Sequence, residues 1–307
     1  MSLTERLPHG YIDAHHHVWA PESRGDEIGY GWLRDIGAMK PFGDPTPIQR
    51  DYLMAEFLAE ASDKPCASVH VQTDGALPDP VAETRFVQAE ADRTDHTVKI
   101  VALVDLSADD LTDTLSAHAE SRDFCGVRQI VGRLDHRPDL SFAPRDYLSD
   151  PKWVNGLKVL EDQGLTFDLQ MYPEQAEAAL EALSKTPALT VIIDHALCPY
   201  DPADVVRWQA ALALMASRDN TYMKLSGWGM YDTKWTMNGG VAVQPQLAEI
   251  LERFGADRVM WGSNYPVEKL ATRYDTCRDV QVEMVPEAAR DTVFMRSASE
   301  AYGIKLT

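Results

Sequence analysis

Short apolar runs rich in β-branched residues alternate with longer amphipathic stretches along the chain. The short runs predict eight strands, at residues 10–18, 66–72, 98–106, 124–131, 165–172, 189–196, 221–227 and 258–264. Between most of them, apolar residues recur at helical spacing, most clearly in "DYLMAEFLAEAS" and "EQAEAALEALSK". A last helical pattern, at 286–304, predicts a closing helix. The pattern therefore predicts a repeated alternation of strand and helix.

This alternation favours one α/β architecture over its main rival. Eight strand–helix units in 307 residues suit a (β/α)₈ TIM barrel, which typically takes about 250 residues. A doubly wound open sheet would normally carry a glycine-rich phosphate loop after its first strand, and "HHHVWAPESRG" is not such a loop. We therefore predict an α/β chain in which residues 1–307 form a single (β/α)₈ barrel domain.

Two segments are longer than a minimal barrel requires. Residues 19–49 follow the first predicted strand and are rich in glycine, proline and aromatic residues, and residues 132–153 follow the fourth. Long loops inside a compact domain are usually functional. Because both loops follow strand ends, we expect them on the active face of the barrel.

The net charge, the cysteine pattern and the hydropathy of the chain indicate which partners and which cellular compartment to expect. The formal net charge of −19 repels nucleic acid and anionic lipid. Four scattered cysteines without a C-x-x-C pair indicate a reducing compartment rather than a disulfide framework. The N-terminus lacks the features of a signal peptide, and no apolar run is long enough for a membrane span. We expect a cytoplasmic protein with a small-molecule substrate and no nucleic-acid or membrane partner.

Three consecutive histidines end the first predicted strand, in "YIDAHHHVWAP". Because side chains alternate along a strand, His15 and His17 share one face, while His16 turns to the other face with apolar neighbours. Two imidazoles at this spacing can bind one metal ion, since their ring nitrogens can converge. The structural alternative is a pair of hydrogen-bonded histidines at a barrel mouth.

Other polar residues fall at the ends of later predicted strands, where barrel enzymes carry their chemistry. His195 ends the sixth strand, with Asp194 expected to point outward, and Asn264 ends the eighth. The candidate substrate-binding residues lie at or just after the ends of other strands: Arg128, His70, Gln72, Tyr172 and Trp228. Each alone could be an ordinary polar residue at a strand end, but their joint occurrence favours a functional site.

Seven short motifs occur in order across nearly the whole chain: "DAHHHVW", "YGWL", "HVQ", "GVRQ", "DHALCPYD", "YMKLSG" and "WGSNYP". As a set they resemble the amidohydrolase superfamily, in the amidohydrolase-related branch that includes 2-pyrone-4,6-dicarboxylate lactonases and sugar lactonases. The resemblance implies a metal-dependent-hydrolase-like barrel that hydrolyses small lactones or related carbonyl compounds. It maps the family's histidine pair onto His15 and His17. Its strand-six histidine maps onto His195 and its strand-four arginine onto Arg128.

The chain departs from the family pattern at Asn264, where a "GSDWP"-like motif usually carries an aspartate. An amide cannot act as a general base, although it can orient water or hold a weak ligand position. In one mechanism, His15, His17 and His195 bind one divalent ion, zinc or manganese, which lowers the pKa of bound water to about 7. In the other, the site is metal-independent: the histidines polarise the carbonyl and take the proton from water, and Arg128 holds a substrate carboxylate. Both mechanisms stay open.

The resemblance implies a hydrolase, and first a lactonase that opens a small sugar-acid or dicarboxylate lactone by water attack at its carbonyl carbon. Its catalytic residues would be His15, His17, His195 and Asn264, and its substrate would be anionic or sugar-like. Loss of the strand-eight acid leaves two alternatives. One is a decarboxylase or lactone isomerase on the same barrel, and the other is a small-molecule-binding homologue without turnover. A homodimer is compatible with a barrel of this size.

Overall fold

Eight parallel strands form one sheet in which each strand pairs with the next along the chain. The computed structural model describes residues 2–73 and 77–305. Its strands are β1 (Ile12–His16), β2 (Ala67–Val71), β3 (Val98–Leu103), β4 (Phe124–Arg128), β5 (Thr166–Leu169), β6 (Val191–Ile193), β7 (Thr221–Leu225) and β8 (Val259–Trp261). All eight lie within the predicted runs and are shorter than them, and their order confirms the (β/α)₈ barrel.

Backbone hydrogen bonds join the last strand to the first. The N–H of Asn264 donates to the carbonyl oxygen of His15 over 2.7 Å, and the N–H of His17 donates to that of Tyr265 over 2.7 Å. Gly262 permits this approach, because a Cβ atom there would lie 2.6 Å from the Cβ of His15. The two ends of the strand order therefore meet at residues that carry candidate chemistry.

Helices alternate with the strands. They are α1 (Leu3–Arg6), α2 (Gly25–Ile28), α3 (Gly31–Arg34), α4 (Met54–Glu60), α5 (Pro80–Thr94), α6 (Leu111–His118), α7 (Pro151–Gln163), α8 (Ala176–Leu183), α9 (Val205–Ala216), α10 (Gln244–Phe254), α11 (Tyr274–Met284), α12 (Glu287–Asp291) and α13 (Ser297–Ala301). Helices α5 and α7 begin with proline after a capping aspartate, Asp79 or Asp150, whose carboxylate accepts backbone N–H groups of the first turn. The two clearest amphipathic patterns form α4 and α8, as predicted.

The closing segment differs from the single helix predicted at 286–304. It consists of α12, a π-helical turn at Thr292–Arg296, and α13. The turn buries Val293 and Phe294, so the irregular winding keeps the apolar residues of this segment against the barrel. Within the part of the chain that the structure describes, no helix combines the length and the apolarity that crossing a bilayer requires.

Candidate active site

A cavity of about 460 Å³ opens among residues at and beyond the carboxyl ends of the strands. Both long loops predicted for the active face contribute to its lining. Five lining residues form what we call the polar cluster: His17, Arg128, Gln170, His195 and Asn264. Three of the four predicted catalytic residues therefore lie on the cavity wall, and the fourth, His15, lies buried outside the lining.

The three histidines of the first motif have different surroundings. The ring of His16 stacks on Phe57 with 3.9 Å between centroids, which places it on the helix side as predicted, although the pairing of β1 with β2 shifts register between Asp13 and His16. His15 faces the interior of the barrel, with its ring centroid 4.6 Å from that of His195 and 5.1 Å from that of His17. Asp13 lies nearby and accepts the backbone N–H groups of His15 and Ser263.

The hydrogen bonds of His17 define which of its ring nitrogens is free. Its Nδ1 lies 2.7 Å from the carbonyl oxygen of Val71, so Nδ1 carries the proton and donates it. Burial first, and the nearby positive charge of Arg128 second, lower the pKa of His17 to about 3. The ring is therefore neutral at pH 7, and its Nε2 is a free lone pair.

Asn264 faces that lone pair with a second acceptor. Its Oδ1 lies 3.4 Å from Nε2 of His17, while its Nδ2 is buried without a hydrogen-bond partner among the described residues. In this orientation of the amide both atoms are acceptors, so a proton donor or a cation between them would satisfy both. A water molecule could donate one hydrogen to each atom. The backbone of Asn264 has φ +57°, a left-handed conformation that asparagine tolerates better than most residues.

His195 begins an unusual turn of backbone. Four consecutive residues, His195 to Cys198, have positive φ between 46° and 60°, although none is glycine. Each such residue carries a cost of roughly 1 to 2 kcal/mol, so the surrounding structure must enforce the turn. The ring of His195 lies against Gly227, where a Cβ atom would be 2.5 Å from its Nδ1. Strained backbone at a cavity wall is typical of functional sites.

The side chain of His195 forms a hydrogen bond with Ser226, which can act as donor or acceptor. Its Nδ1 lies 3.0 Å from Oγ of Ser226, and a hydroxyl can either donate or accept. If Ser226 donates, Nε2 of His195 carries a proton and is a donor. If Ser226 accepts, Nε2 is a lone pair. Burial lowers the pKa of His195 to about 3, so the ring is neutral in either case.

A buried charge network lies beside these histidines. Lys224 forms an ion pair with Asp168 over 2.5 Å and lies 3.2 Å from Oδ1 of Asp194, and Arg128 lies 3.1 Å from Oδ2 of Asp194. Burial alone would raise the pKa of Asp194, but the two cations and His15 hold it well below its ordinary value. Burial raises the pKa of Asp168 to about 6, against the opposing pull of Lys224.

The side chain of Asp194 points in a different direction from the one we expected. We expected it to point outward, because it precedes His195 in a strand. The structure instead ends β6 at Ile193, and the left-handed turn that follows breaks the alternation of side chains. Asp194 is completely buried and faces His15 inside the barrel, with 3.2 Å between Oδ1 and Nδ1.

A divalent ion is the cofactor that the sequence resemblance implies, and one set of side chains fits it. His15, Asp194 and His195 each offer an atom within 4.8 Å of the others. Nε2 of His15 is buried and lacks a hydrogen-bond partner among residues 2–73 and 77–305, whereas Oδ1 of Asp194 lies 3.2 Å from both Lys224 and Nδ1 of His15. Imidazole and carboxylate are ordinary zinc ligands, so the set suits one ion in competition with Lys224. The expected ligand His17 is outside this set.

The predicted substrate-binding residues divide into two groups. Arg128 lines the cavity, where its two amino groups already donate to Asp194, Gln170 and the backbone of Gln72, while its Nε has no partner in the described structure. The other four do not line the cavity: His70, Gln72, Tyr172 and Trp228. They are buried behind it, and three of them have protein partners at Val18, Leu140 and Gln281.

Sequence reasoning missed several groups on or beside the wall. Lys40 and Phe42 come from the first long loop, and Phe142 and Tyr147 from the second. Their loops could be recognised by length and position, but loop composition does not say which aromatic side chains turn inward. The sequence places Lys224 on the seventh predicted strand but does not indicate its ion-pair partner. Its ion-pair partner Asp168 lies on a strand that is not adjacent in the sheet, so only the closed barrel reveals the pair.

Comparisons with known proteins agree with this architecture. The family described as Amidohydrolase matches residues 12–304. An uncharacterized protein of Sinorhizobium fredii, y4mH, is 32% identical over 266 residues, covering 86% of this chain and 87% of its own length. An L-fucono-1,5-lactonase of Burkholderia ambifaria is 29% identical over 270 residues, covering 86% of this chain and 82% of its own length.

The fold also occurs in a solved structure. A crystal structure of an amidohydrolase from Burkholderia multivorans with bound zinc superposes with a TM-score of 0.76 and 24% sequence identity. The match covers 96% of this chain and 99% of that chain. It supports the same barrel architecture over nearly the whole chain.

Proposed function

Since the chain belongs to the amidohydrolase family, we propose that it is a lactonase that opens a cyclic ester by attack of water on the carbonyl carbon. The observation that carries the proposal is the pair of acceptors, Nε2 of His17 and Oδ1 of Asn264, 3.4 Å apart on the cavity wall. Relatives with lactonase names support the same reaction class. A lactone needs less activation than an amide, which suits a site whose strand-eight acid is replaced by asparagine.

The acceptor pair would bind and activate the attacking water. The water donates one hydrogen to Nε2 of His17 and the other to Oδ1 of Asn264. As its oxygen bonds to the carbonyl carbon, the first proton moves to Nε2 of His17, the more basic of the two atoms. Asn264 keeps the second hydrogen in place and so orients the nucleophile.

The remaining cluster would stabilise the charge on the former carbonyl oxygen. The Nε–H of Arg128 has no partner among the described residues and belongs to a guanidinium held rigidly by Asp194 and Gln170. Such preorganised donors lower the barrier most, because they need not reorient during the reaction. The bond between the carbonyl carbon and the ring oxygen then breaks, and the ring oxygen takes the proton from His17. The product is a hydroxy acid.

We further propose that His15, Asp194 and His195 hold one divalent ion, in keeping with the zinc named for the Burkholderia multivorans protein. When bound, the ion would polarise the carbonyl oxygen and lower the pKa of a nearby water molecule. For this role Ser226 must accept the proton of Nδ1, so that Nε2 of His195 presents its lone pair.

Acid release from a lactone panel tests the proposed reaction. Purified protein is assayed with δ-valerolactone and L-fucono-1,5-lactone at pH 7 with an indicator dye, and spontaneous hydrolysis is subtracted. We expect catalysed acid release that falls at least about 100-fold in His17→Gln, because the base is lost. The matched control is His9→Gln, whose side chain is 68% exposed. Failure of the wild-type protein to accelerate any lactone would contradict the proposal. Release of carbon dioxide from a carboxylated substrate, or an isomeric product, would point to other chemistry.

A further inference from the structure

Four aromatic rings run in contact from the proposed base to the first long loop. Ring centroids lie 6.1 Å apart between His17 and Trp19, 5.5 Å between Trp19 and Trp32, and 5.8 Å between Trp32 and Phe42. These are the spacings of packed aromatic pairs. All four residues line the cavity, and we call them the aromatic ladder. Trp32 and Phe42 give the cavity an apolar surface, and the completely buried Trp19 connects them to the ring of His17.

Other apolar side chains complete this surface. Phe142, Pro144 and Tyr147 come from the loop between β4 and β5 and line the same cavity. Further apolar lining residues lie at or beyond the ends of other strands: Leu103, Ile130, Met230 and Val267. A bound molecule would therefore meet carbon atoms on several sides of its non-reacting part.

The indole N–H groups of the ladder are not available to a ligand. That of Trp19 donates to the backbone of Arg50 over 2.9 Å, and that of Trp32 donates to the backbone of Thr73 over 3.0 Å. These bonds hold the rings in place. Trp32 therefore offers only its ring to the cavity, and Trp19, which is completely buried, packs behind it.

Most polar lining residues outside the polar cluster are also engaged within the protein. The amide of Gln129 bonds to Leu106, Trp153 and Asp105, the hydroxyl of Ser141 bonds to Leu134 and Arg137, and the carboxylate of Asp139 is held by the guanidinium of Arg137. The exceptions are Lys40, whose ammonium lies 3.8 Å from the carboxylate of Asp35, and Thr73, whose Oγ1 has no partner in the described structure. Outside the polar cluster, few groups therefore remain to receive hydroxyls on a bound ring.

We propose that the preferred substrate is a lactone with an aryl or comparably bulky apolar substituent that lies along the aromatic ladder; this inference rests on the proposed lactonase function. A polyhydroxylated sugar lactone would leave hydroxyl groups buried without partners, which costs free energy for each of them. An aryl substituent would bury apolar surface and stack against Trp32 and Phe42. The cavity of about 460 Å³ has room for such a group beside the lactone ring.

Comparison of three six-membered lactones tests the inference. δ-Valerolactone provides the unsubstituted ring, δ-phenyl-δ-valerolactone adds the aryl group, and L-fucono-1,5-lactone adds hydroxyls. We expect kcat/KM for the phenyl lactone to exceed that for the fuconolactone by roughly 10- to 100-fold, as for discrimination by an apolar pocket. Higher kcat/KM for the fuconolactone would overturn the inference and leave the lactonase proposal standing.

Substitutions in the apolar cavity wall test whether that wall causes the preference for the phenyl lactone. In Phe42→Ala and in Phe142→Ala, we expect the ratio of kcat/KM for phenyl lactone over δ-valerolactone to fall about tenfold, because one apolar contact surface is lost in each. The matched control is Met39→Ala, on the same loop as Phe42 but 69% exposed and outside the cavity lining. That control should leave the ratio unchanged. An unchanged ratio in both cavity variants would contradict the proposed site.

A binding measurement separates this inference from the lactonase proposal. 3-Phenylcyclohexanone has the shape of the phenyl lactone but no ester bond to hydrolyse. We expect it to quench the fluorescence of Trp19 and Trp32 on titration, with a Kd at least tenfold lower than that of unsubstituted cyclohexanone. Binding without lactone turnover would contradict the lactonase proposal alone. Equal affinity for the two ketones would contradict the substrate inference whatever the turnover.

Discussion

The ammonium of Lys224 and the carboxylate of Asp168 form an ion pair inside the barrel, 2.5 Å apart and without any solvent exposure. The same ammonium lies 3.2 Å from Nδ1 of His15, and the hydroxyl of Tyr302 donates to Asp168. One lysine therefore balances a buried carboxylate and contacts a residue of the candidate metal site. Its removal would leave a buried charge without compensation.

We expect Lys224→Met to lower the free energy of unfolding by roughly 3 to 5 kcal/mol, the usual cost of removing one partner of a buried ion pair. Urea unfolding measures this change. The matched control is Lys152→Met, which breaks an ion pair with Asp109 at the surface and should cost less than about 1 kcal/mol. Addition of Asp168→Asn to the first variant should restore part of the loss. Equal effects of the two methionine variants would contradict a structural role for the buried pair.

We expect Asn264→Asp to lower kcat/KM for lactone hydrolysis by roughly 10- to 100-fold rather than raise it. A carboxylate 3.4 Å from Nε2 of His17 would favour the protonated imidazole and bond to it directly. The base and the water position would then be lost together. Steady-state kinetics at pH 7 measure the effect. Asn238→Asp is a matched control, because Asn238 is exposed and also has a positive φ, 52°. A gain in turnover on the first substitution would refute the role given to the amide.

We expect Glu268 to make stability depend on pH. Its Oε1 accepts the N–H of Gly229, its Oε2 is buried without a partner in the described structure, and burial raises its pKa from 4.5 to about 7. A raised pKa means that the folded protein binds the proton more tightly than the unfolded chain. The stabilisation is therefore fully present below pH 4.5 and is lost as the pH rises through 7.

Comparison with Glu268→Gln isolates this contribution. Relative to that variant, the wild-type protein should lose roughly 3 kcal/mol of unfolding free energy between pH 4.5 and pH 8. Urea unfolding at several pH values gives the difference. Glu283→Gln serves as the control, since the side chain of Glu283 is 61% exposed. A pH-independent difference for Glu268→Gln would mean that the buried carboxyl does not titrate in this range.

Metal analysis distinguishes two ligand sets. We expect the purified protein, after dialysis against zinc, to retain about one zinc ion per chain, as a closed set of imidazole and carboxylate ligands allows. Asp194→Asn and His195→Ala should lose this ion, whereas His17→Ala should keep it, because the three-residue set does not include His17. Elemental analysis and isothermal titration calorimetry provide the readouts. Loss of zinc in His17→Ala with retention in Asp194→Asn would favour the set expected from the sequence.

Much of the fold and part of the site were predictable because they follow from local periodicity. Alternation along β1 separated His15 and His17 from His16, and the structure stacks His16 on Phe57. Strand ends also located Arg128 and His195 on the cavity wall. These predictions depend only on neighbouring positions in the chain.

Other features depend on tertiary structure and could not be predicted in this way. No glycine in the sequence indicates the left-handed turn at His195 to Cys198. Because of this turn, Asp194 is buried inside the barrel rather than pointing outward as expected. The ion pair between Lys224 and Asp168 spans two strands that are not neighbours in the sheet. Which loop aromatics enter the cavity depends on how each loop folds back over the barrel.

The contact between His17 and Asn264 joins residues 247 positions apart, which follow the first and the last strand. A ribosome synthesises the first of these groups long before the second, so a nascent chain has no complete water site until nearly the whole barrel has emerged. Fragments that retain seven strands should be unable to catalyse, however well they fold. The time at which activity appears during synthesis or refolding would therefore report when the barrel closes.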